Sequence, residues 1–318
     1  MKNKILNILS TADGYVSGEN ISERLGISRN AVWKHINKLR QDGYEIESVT
    51  KRGYKLISVP DVISAELIKD GLDTEFIGQN VVYYDETDST NNEAKRNSDM
   101  PDGTLFISEI QTGGKGRLGR AWVSPKGIGI WMSLLLKPHI LPQDVAQITL
   151  VAGMATARSV GCGAKIKWPN DVVIGSKKIC GILTEMSAEI ERVNYIVPGI
   201  GINVNTESFP DELKEKATSL YIESGRKFER YKIVQRFLKE FEILYKKFIK
   251  GGIAAITDDY RELCVTIGKE VSVIYPNRTI NGRAIDINNN GELIVETDKG
   301  IIEVDSGEVS VRGMYGYV

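Results

Sequence analysis

The chain has 318 residues, 42% of them hydrophobic, with 41 Lys+Arg against 42 Asp+Glu. At roughly 150 residues per domain this length predicts about two domains, or three if some are small. No apolar run approaches the roughly 20 residues of a membrane span. Cys162, Cys180 and Cys264 are far apart and the only histidines are His35 and His139, which argues against a disulfide framework, a zinc site or a His-based triad and predicts reduced thiols in a cytoplasmic protein.

In chain order, "MKNKILNILS" reads as an amphipathic helix, with Ile5, Ile8 and Leu9 on one face, rather than a signal peptide. Ser17 is a suitable N-cap for a second helix with Glu19 in its first turn, Ile21 and Leu25 on one face and Gly26 at its end. Ser28 caps a third, where Val32, Ile36 and Leu39 form a buried stripe. "YEIESVTKRGYKL" alternates around a Lys-Arg-Gly turn, as a hairpin does. Residues 57–64, with Pro60, read as a linker. Beyond them, "VVYYDETDST", "GTLFISEIQT" and "GIGIWMSLLLKP" read as strands and "DVAQITLVAGMATARSVG" as a buried helix. "AKIKWPNDVVIGSKKICGILTEMS" reads as strands around two turns, and "NYIVPGIGINVN" as a further strand. Helical patterns run from about Asp211 to Cys264, and the last ~50 residues, with turns at "NNNG" and "DKG", suggest a small all-β barrel.

Residues 1–59 hold ten Lys/Arg against six Asp/Glu, a balance of +4, while the whole chain stands at −1. The second and third helices, joined through "LGIS", have the spacing of a helix-turn-helix. Opposite the apolar stripe lie Asn30, Trp33, Lys34 and Asn37, with Ser28 and Arg29 at the helix start and Lys51 and Arg52 at the hairpin tip. Asn suits adenine edges, and Lys and Arg suit guanine or phosphate. A solvated charged face is the simpler reading of the charges alone. Cap, turn, stripe and basic wing together favour a winged helix-turn-helix that binds DNA.

"QTGGKGRLGRAW" (111–122) contains the spacing G-x-G-x-x-G. A dinucleotide fingerprint needs a helix after the glycines and an acid about 20 residues on. Here the loop runs into "RAWVSPKGIGIWMSLLL", Gly- and Pro-punctuated and then β-like, and "WMSLLLKP" supplies no acid. The dinucleotide reading fails. What remains is a flexible loop with Lys115, Arg117 and Arg120, able to fold over an anion. Alone it could equally be a mobile surface loop.

Its companions are "DSTNNEAK", "KWPND", "KKICGIL", "GIGINVN" and the terminal "GEVSVR". In this order and spacing, the set closely resembles biotin protein ligases. The N-terminal "SGENISERLGISRNAVWKHINKLR" resembles the DNA-binding part of those members that also repress the biotin operon. The resemblance covers almost the whole chain. Departures are Lys115, where arginine is more frequent, Leu118, where some members carry a further basic residue, and the tail "GMYGYV".

The resemblance implies an α+β protein of three domains. These are a winged helix-turn-helix over 1–60, a mixed-sheet catalytic domain over 61–265 and a small SH3-like β-barrel over 266–318. It implies ATP-dependent biotinylation of a lysine on a carboxylase carrier protein, through biotinyl-adenylate, with Mg²⁺ on the phosphates. By the same resemblance, Ser89, Thr90 and Gln111 bind the ureido ring of biotin, with Asn91 beside them. Lys115, Gly116 and Arg117 cover the ligand, and Lys178 bridges carboxylate and α-phosphate. Lys178 and Arg117 are the expected catalytic cations. Arg120, Asn170, Asp171 and Asn203 neighbour the nucleotide, with Asp171 as the expected metal ligand. Trp122 stacks on adenine, and Glu308 and Arg312 reach back from the barrel. Adenylate-loaded enzyme either meets its carrier or dimerises on operator DNA. Two alternatives stand beside this reading: a ligand-sensing repressor without ligase activity, and a lipoate-type ligase.

Overall fold

The computed structural model describes the chain apart from residues 42, 59, 60, 191, 308 and 314–318; the side chains of Asn3 and Ser58 also lie outside it. Pro60, Glu308 and most of the terminal tail therefore fall outside the described residues. The chain divides into two compact units, Met1–Asp61 and Val62–Val318.

In the first unit, Ser17 Oγ accepts the Asn20 N–H at 3.1 Å, and Gly26 is left-handed at φ 63°. The helix between them, α2 (Gly18–Leu25), is thus capped at both ends. Before it lies α1 (Lys2–Ser10) and after it α3 (Arg29–Gln41), where Ser28 Oγ accepts the Ala31 N–H at 3.2 Å. Ile5, Leu9, Ile21, Val32, Ile36 and Leu39 form one buried cluster, closed by Ile46. Ile46 belongs to β1 (Glu45–Val49), which pairs antiparallel with β2 (Gly53–Ser58). This is the expected helix-turn-helix with a hairpin wing.

The second unit opens with α4 (Ala65–Lys69), capped by Ser64, just beyond the expected linker. The elements that follow are β3 (Val81–Tyr84), α5 (Thr90–Arg96), β4 (Thr104–Ser108), β5 (Gly129–Leu135) and α6 (Val145–Val160). Next come β6 (Lys165–Lys167), β7 (Asp171–Ile174), β8 (Lys177–Ala188) and β9 (Val193–Asn203). Their sheet has the order β3-β4-β5-β9-β8-β7-β6, parallel between β3 and β4 and antiparallel elsewhere. Three helices follow: α7 (Leu220–Ser224), α8 (Arg230–Gly251) and α9 (Thr257–Leu263). A five-stranded antiparallel sheet of β10 (Glu270–Ile274), β11 (Thr279–Ile287), β12 (Leu293–Thr297), β13 (Gly300–Val304) and β14 (Ser310–Gly313) completes the chain, in the order β13-β12-β11-β10-β14.

Strand alternation sends neighbours to opposite faces of the large sheet. Leu134 joins the main core under α6 and α8, whereas Leu135 joins Ala94 of α5, Phe106 and Val197 on the other side. The α5 side carries the site described below.

Two expectations need correction. The strand expected over 81–90 ends at Tyr84, and Thr90 begins a helix, with Ser89 extended (φ −164°) at its N-cap position. Residues 211–216, read as helical, are turns, and Ala217 bridges to Lys178. "DELKEK" has good helix formers but no apolar stripe to bury, so packing does not hold it in a helix.

Candidate active site and nucleic-acid interface

On the α5 face of the sheet, β9 presents Gly199 and Gly201, opposite Ser133 and Trp131 of β5. A side chain cannot stand there: a Cβ on Gly199 would lie 2.1 Å from Asn91 Oδ1, and one on Gly201 2.4 Å from Trp122 Nε1. With Gly181 of β8, these glycines form the floor of a pocket of about 50 Å³, room for a few water molecules. Its walls include Ser89, Thr90, Asn91, Gln111, Lys115, Gly116, Arg117, Trp122, Asn170 and Lys178. Ten residues singled out in the sequence thus meet in one cavity.

The polar end is tightly ordered. Gln111 Oε1 accepts from the Thr90 N–H at 2.9 Å, and its amide donates to Ser124 Oγ at 2.8 Å. Thr90 and Ser133 share a hydroxyl hydrogen bond of 2.7 Å, and Ser133 donates to Asn91 Oδ1 at 2.6 Å. Asn91 donates to Glu185 at 2.8 Å. Ser89, only 4% exposed, heads α5 yet its hydroxyl makes no capping bond.

The other end is cationic. Lys178 Nζ pairs with Asp171 and lies 5.4 Å from the centre of the Trp122 ring. Arg117 Nη1 donates to Asn170 Oδ1 at 3.0 Å, while Nη2 donates to the carbonyls of Ser306, Gly307 and Val309. Burial lowers the pKa of this guanidinium. The glycine loop is thereby fastened to the turn before β14. Between Gly116 and β5 the loop has a single 3-10 turn, Arg117–Gly119, with Leu118 at φ 57°; no dinucleotide-type helix follows.

Trp122 packs over Gly181 and Gly201, edge-on to Trp131 at 6.4 Å, with its indole N–H buried and unpartnered. Arg120, Asp171, Asn203 and Arg312 are not among the pocket's lining residues. Asn203 Nδ2 donates to the Thr218 carbonyl at 3.2 Å, and Arg312 is exposed on β14. Glu308 lies outside the described residues.

Sequence reasoning missed Lys167, the glycine floor and Ser133. Lys167 is 6% exposed and its pKa is pushed down to about 8, first by burial and then by Lys178, Arg312 and Arg120, against the pull of Asp171. It heads "KWPND", so the motif held the signal. Gly199 and Gly201 stand two apart in one strand, a spacing that puts both on one face.

In the first unit, Arg29, Asn30, Trp33 and Lys34 are exposed on α3, with Asn37 half-buried beside them. Ser28 spends its hydroxyl on the helix cap. Arg40 bonds the Ile46 carbonyl through Nε at 3.0 Å and through Nη2 at 2.6 Å, tying α3 to the wing. Lys51 is at the wing tip with φ 66°, and Arg52 lies over the Tyr15 ring at 5.3 Å.

Known proteins match this arrangement along its length. The model of the biotin/lipoate A/B protein ligase family matches residues 82–203. That of an HTH domain matches 2–55, and that of the biotin protein ligase C-terminal domain 266–312. The bifunctional ligase/repressor BirA of Bacillus spizizenii is 42% identical, over 98% of both chains. The chain belongs to the bifunctional biotin ligase/repressor family. BirA of Escherichia coli is 29% identical to this ligase/repressor over 97% of its chain and 96% of the relative's. The structure of the Aquifex aeolicus biotin protein ligase in complex with biotin and ATP superposes with a TM-score of 0.66 at 31% identity, covering 74% of this chain and 99% of that one. The family carries both roles, so neither a repressor without ligase chemistry nor a lipoate-type ligase is required.

Proposed function

We propose that this ligase/repressor activates biotin with ATP in the glycine-floored pocket and passes it to a lysine of a carboxylase's biotin carboxyl carrier protein. A biotin carboxylate oxygen attacks the α-phosphorus, the bond to the β-phosphate oxygen breaks, and pyrophosphate leaves. The acceptor amine then attacks the acyl carbon of biotinyl-adenylate. The amide forms, AMP leaves and the amine gives up a proton.

Two anions meet in the first step, so catalysis rests on positioning and on cations rather than on a protein nucleophile. Lys178 is assigned to the carboxylate and α-phosphate, and Arg117 to retention of the adenylate. Ser89, Thr90, Asn91 and Gln111 are assigned to the ureido ring, and Lys115 and Gly116 to the cover. Arg120, Trp122, Asn170, Asn203 and Arg312 are assigned to the nucleotide side. Mg²⁺ would neutralise phosphate charge. No group of three or more His, Cys, Asp or Glu suited to a metal occurs among the described residues. A lone carboxylate, Asp171, fits an ion held mainly by phosphate and water.

The observation that carries this reading is the one cavity lined by Ser89, by the hydrogen-bonded pair Thr90 and Gln111, and by Lys178 and Arg117. The test is to incubate the protein with ATP, Mg²⁺, biotin and a carrier domain and weigh the carrier. We also assign DNA binding to residues 1–60, catalysis to 61–265 and the small β domain to 266–318. Dimerisation when adenylate-loaded, operator binding as that dimer, and a cytoplasmic location belong to the same proposal. No helix among the described residues is long and apolar enough to cross a membrane.

A further inference from the structure

Helix α3 carries four Lys/Arg and no Asp or Glu, in a segment whose balance is +4. Its apolar residues Val32, Ile36 and Leu39 are at most 1% exposed, whereas Trp33 is 55% exposed. Trp33 stands one helical turn from Arg29, Asn30 and Asn37, on the face turned away from the core. The helix does not need it, since Trp is a poorer helix former than Lys or Ala. The core does not need it either, since that stripe is complete.

A single exposed apolar side chain is ordinary on a protein surface. Here it lies in the middle of an acid-free cationic face that suits a polyanion. In the major groove one apolar feature distinguishes the bases: the C5 methyl of thymine. A large flat indole cannot make the bidentate hydrogen bonds of Asn or Arg, but it can cover a methyl group and exclude water from it.

We infer that Trp33 is a specificity residue that reads thymine through its methyl group. Arg29, Asn30, Lys34 and Asn37 bind phosphates and polar base edges around that contact. The inference rests on the DNA-binding reading of residues 1–60 and adds to it the base that one side chain recognises.

The test uses the full chain with biotin, ATP and Mg²⁺. Bound duplexes are selected from a random pool, and each thymine of the enriched sequence is then replaced singly by deoxyuridine, which removes only the methyl. Affinities are measured by fluorescence anisotropy for the natural protein, Trp33→Ala and Trp33→Phe. At one or more positions, methyl removal weakens the natural protein about fourfold, the worth of one buried methyl-sized group. Trp33→Ala binds more weakly and is indifferent to that methyl, and Trp33→Phe is intermediate. Equal sensitivity of the natural protein and Trp33→Ala at every thymine overturns the inference. So does a Trp33→Ala variant that changes only the oligomeric state. Failure to enrich any duplex overturns the DNA-binding reading itself.

Discussion

At the residue scale, the site is a balance of small floor residues against large charged walls. Lys178→Ala removes the cation assigned to the reacting phosphate, and kcat/KM for biotinylation should fall by about 100-fold or more. Gly199→Ala drives a Cβ into Asn91 Oδ1, 2.1 Å away. It should raise KM for biotin more than tenfold, read by initial rates, while the ATP requirement changes little. Lys167 has the opposite kind of signature, a pH profile. With its pKa near 8 it is charged below that pH and neutral above it. That pH dependence is read in stability, by urea unfolding of the natural chain and of Lys167→Met, which should lack it. Between pH 8 and the unfolded value near 10.4, the unfolded chain holds a proton that the folded chain lacks, so this site favours folding as pH rises through that window.

At the element scale, both ends of the glycine loop are tied to α8 by a buried ion pair. Arg230 and Glu109 are 1% and 7% exposed at their side chains and bond twice, at 3.0 Å each. Arg230 also donates to the Gly129 carbonyl at 2.9 Å, and Glu109 accepts the Gly127 N–H at 3.1 Å. Arg230→Met alone leaves a buried carboxylate and should cost about 3–5 kcal/mol in urea unfolding, whereas adding Glu109→Leu should recover much of it. Nothing local in "SEIQT" or "FERYK" announces this pair, because its partners are 121 residues apart. Local signals served well where cap, stripe and turn agree, as from Ser17 to Leu39. They misled over 85–90, which leads into α5, a short polar helix that takes its place from packing on β4, β5 and β9. They misled again at 211–216, where helix formers have no surface to bury. In the site, the charged and amide residues were legible as motifs. The glycine floor was not, because its meaning depends on Asn91 and Trp122 arriving from elsewhere in the chain.

At the scale of the whole molecule, the HTH match falls in the first compact unit and the ligase-family match in the second. The described residues that line the candidate pocket all belong to the second unit. A chain lacking residues 1–60 should lose operator binding in a gel shift and keep measurable ligation. The cationic loop, the glycine floor and the hydroxyl-amide cluster all lie in the second unit, and biotin transfer is the claim that depends on all three. It is tested by the mass of a carrier domain after incubation with this protein, ATP, Mg²⁺ and biotin. The carrier should gain one biotinyl group with the natural chain and, at matched early times, about a hundredth of that gain or less with Lys178→Ala. An unchanged carrier mass with the natural chain, or a full gain with Lys178→Ala, would contradict that claim.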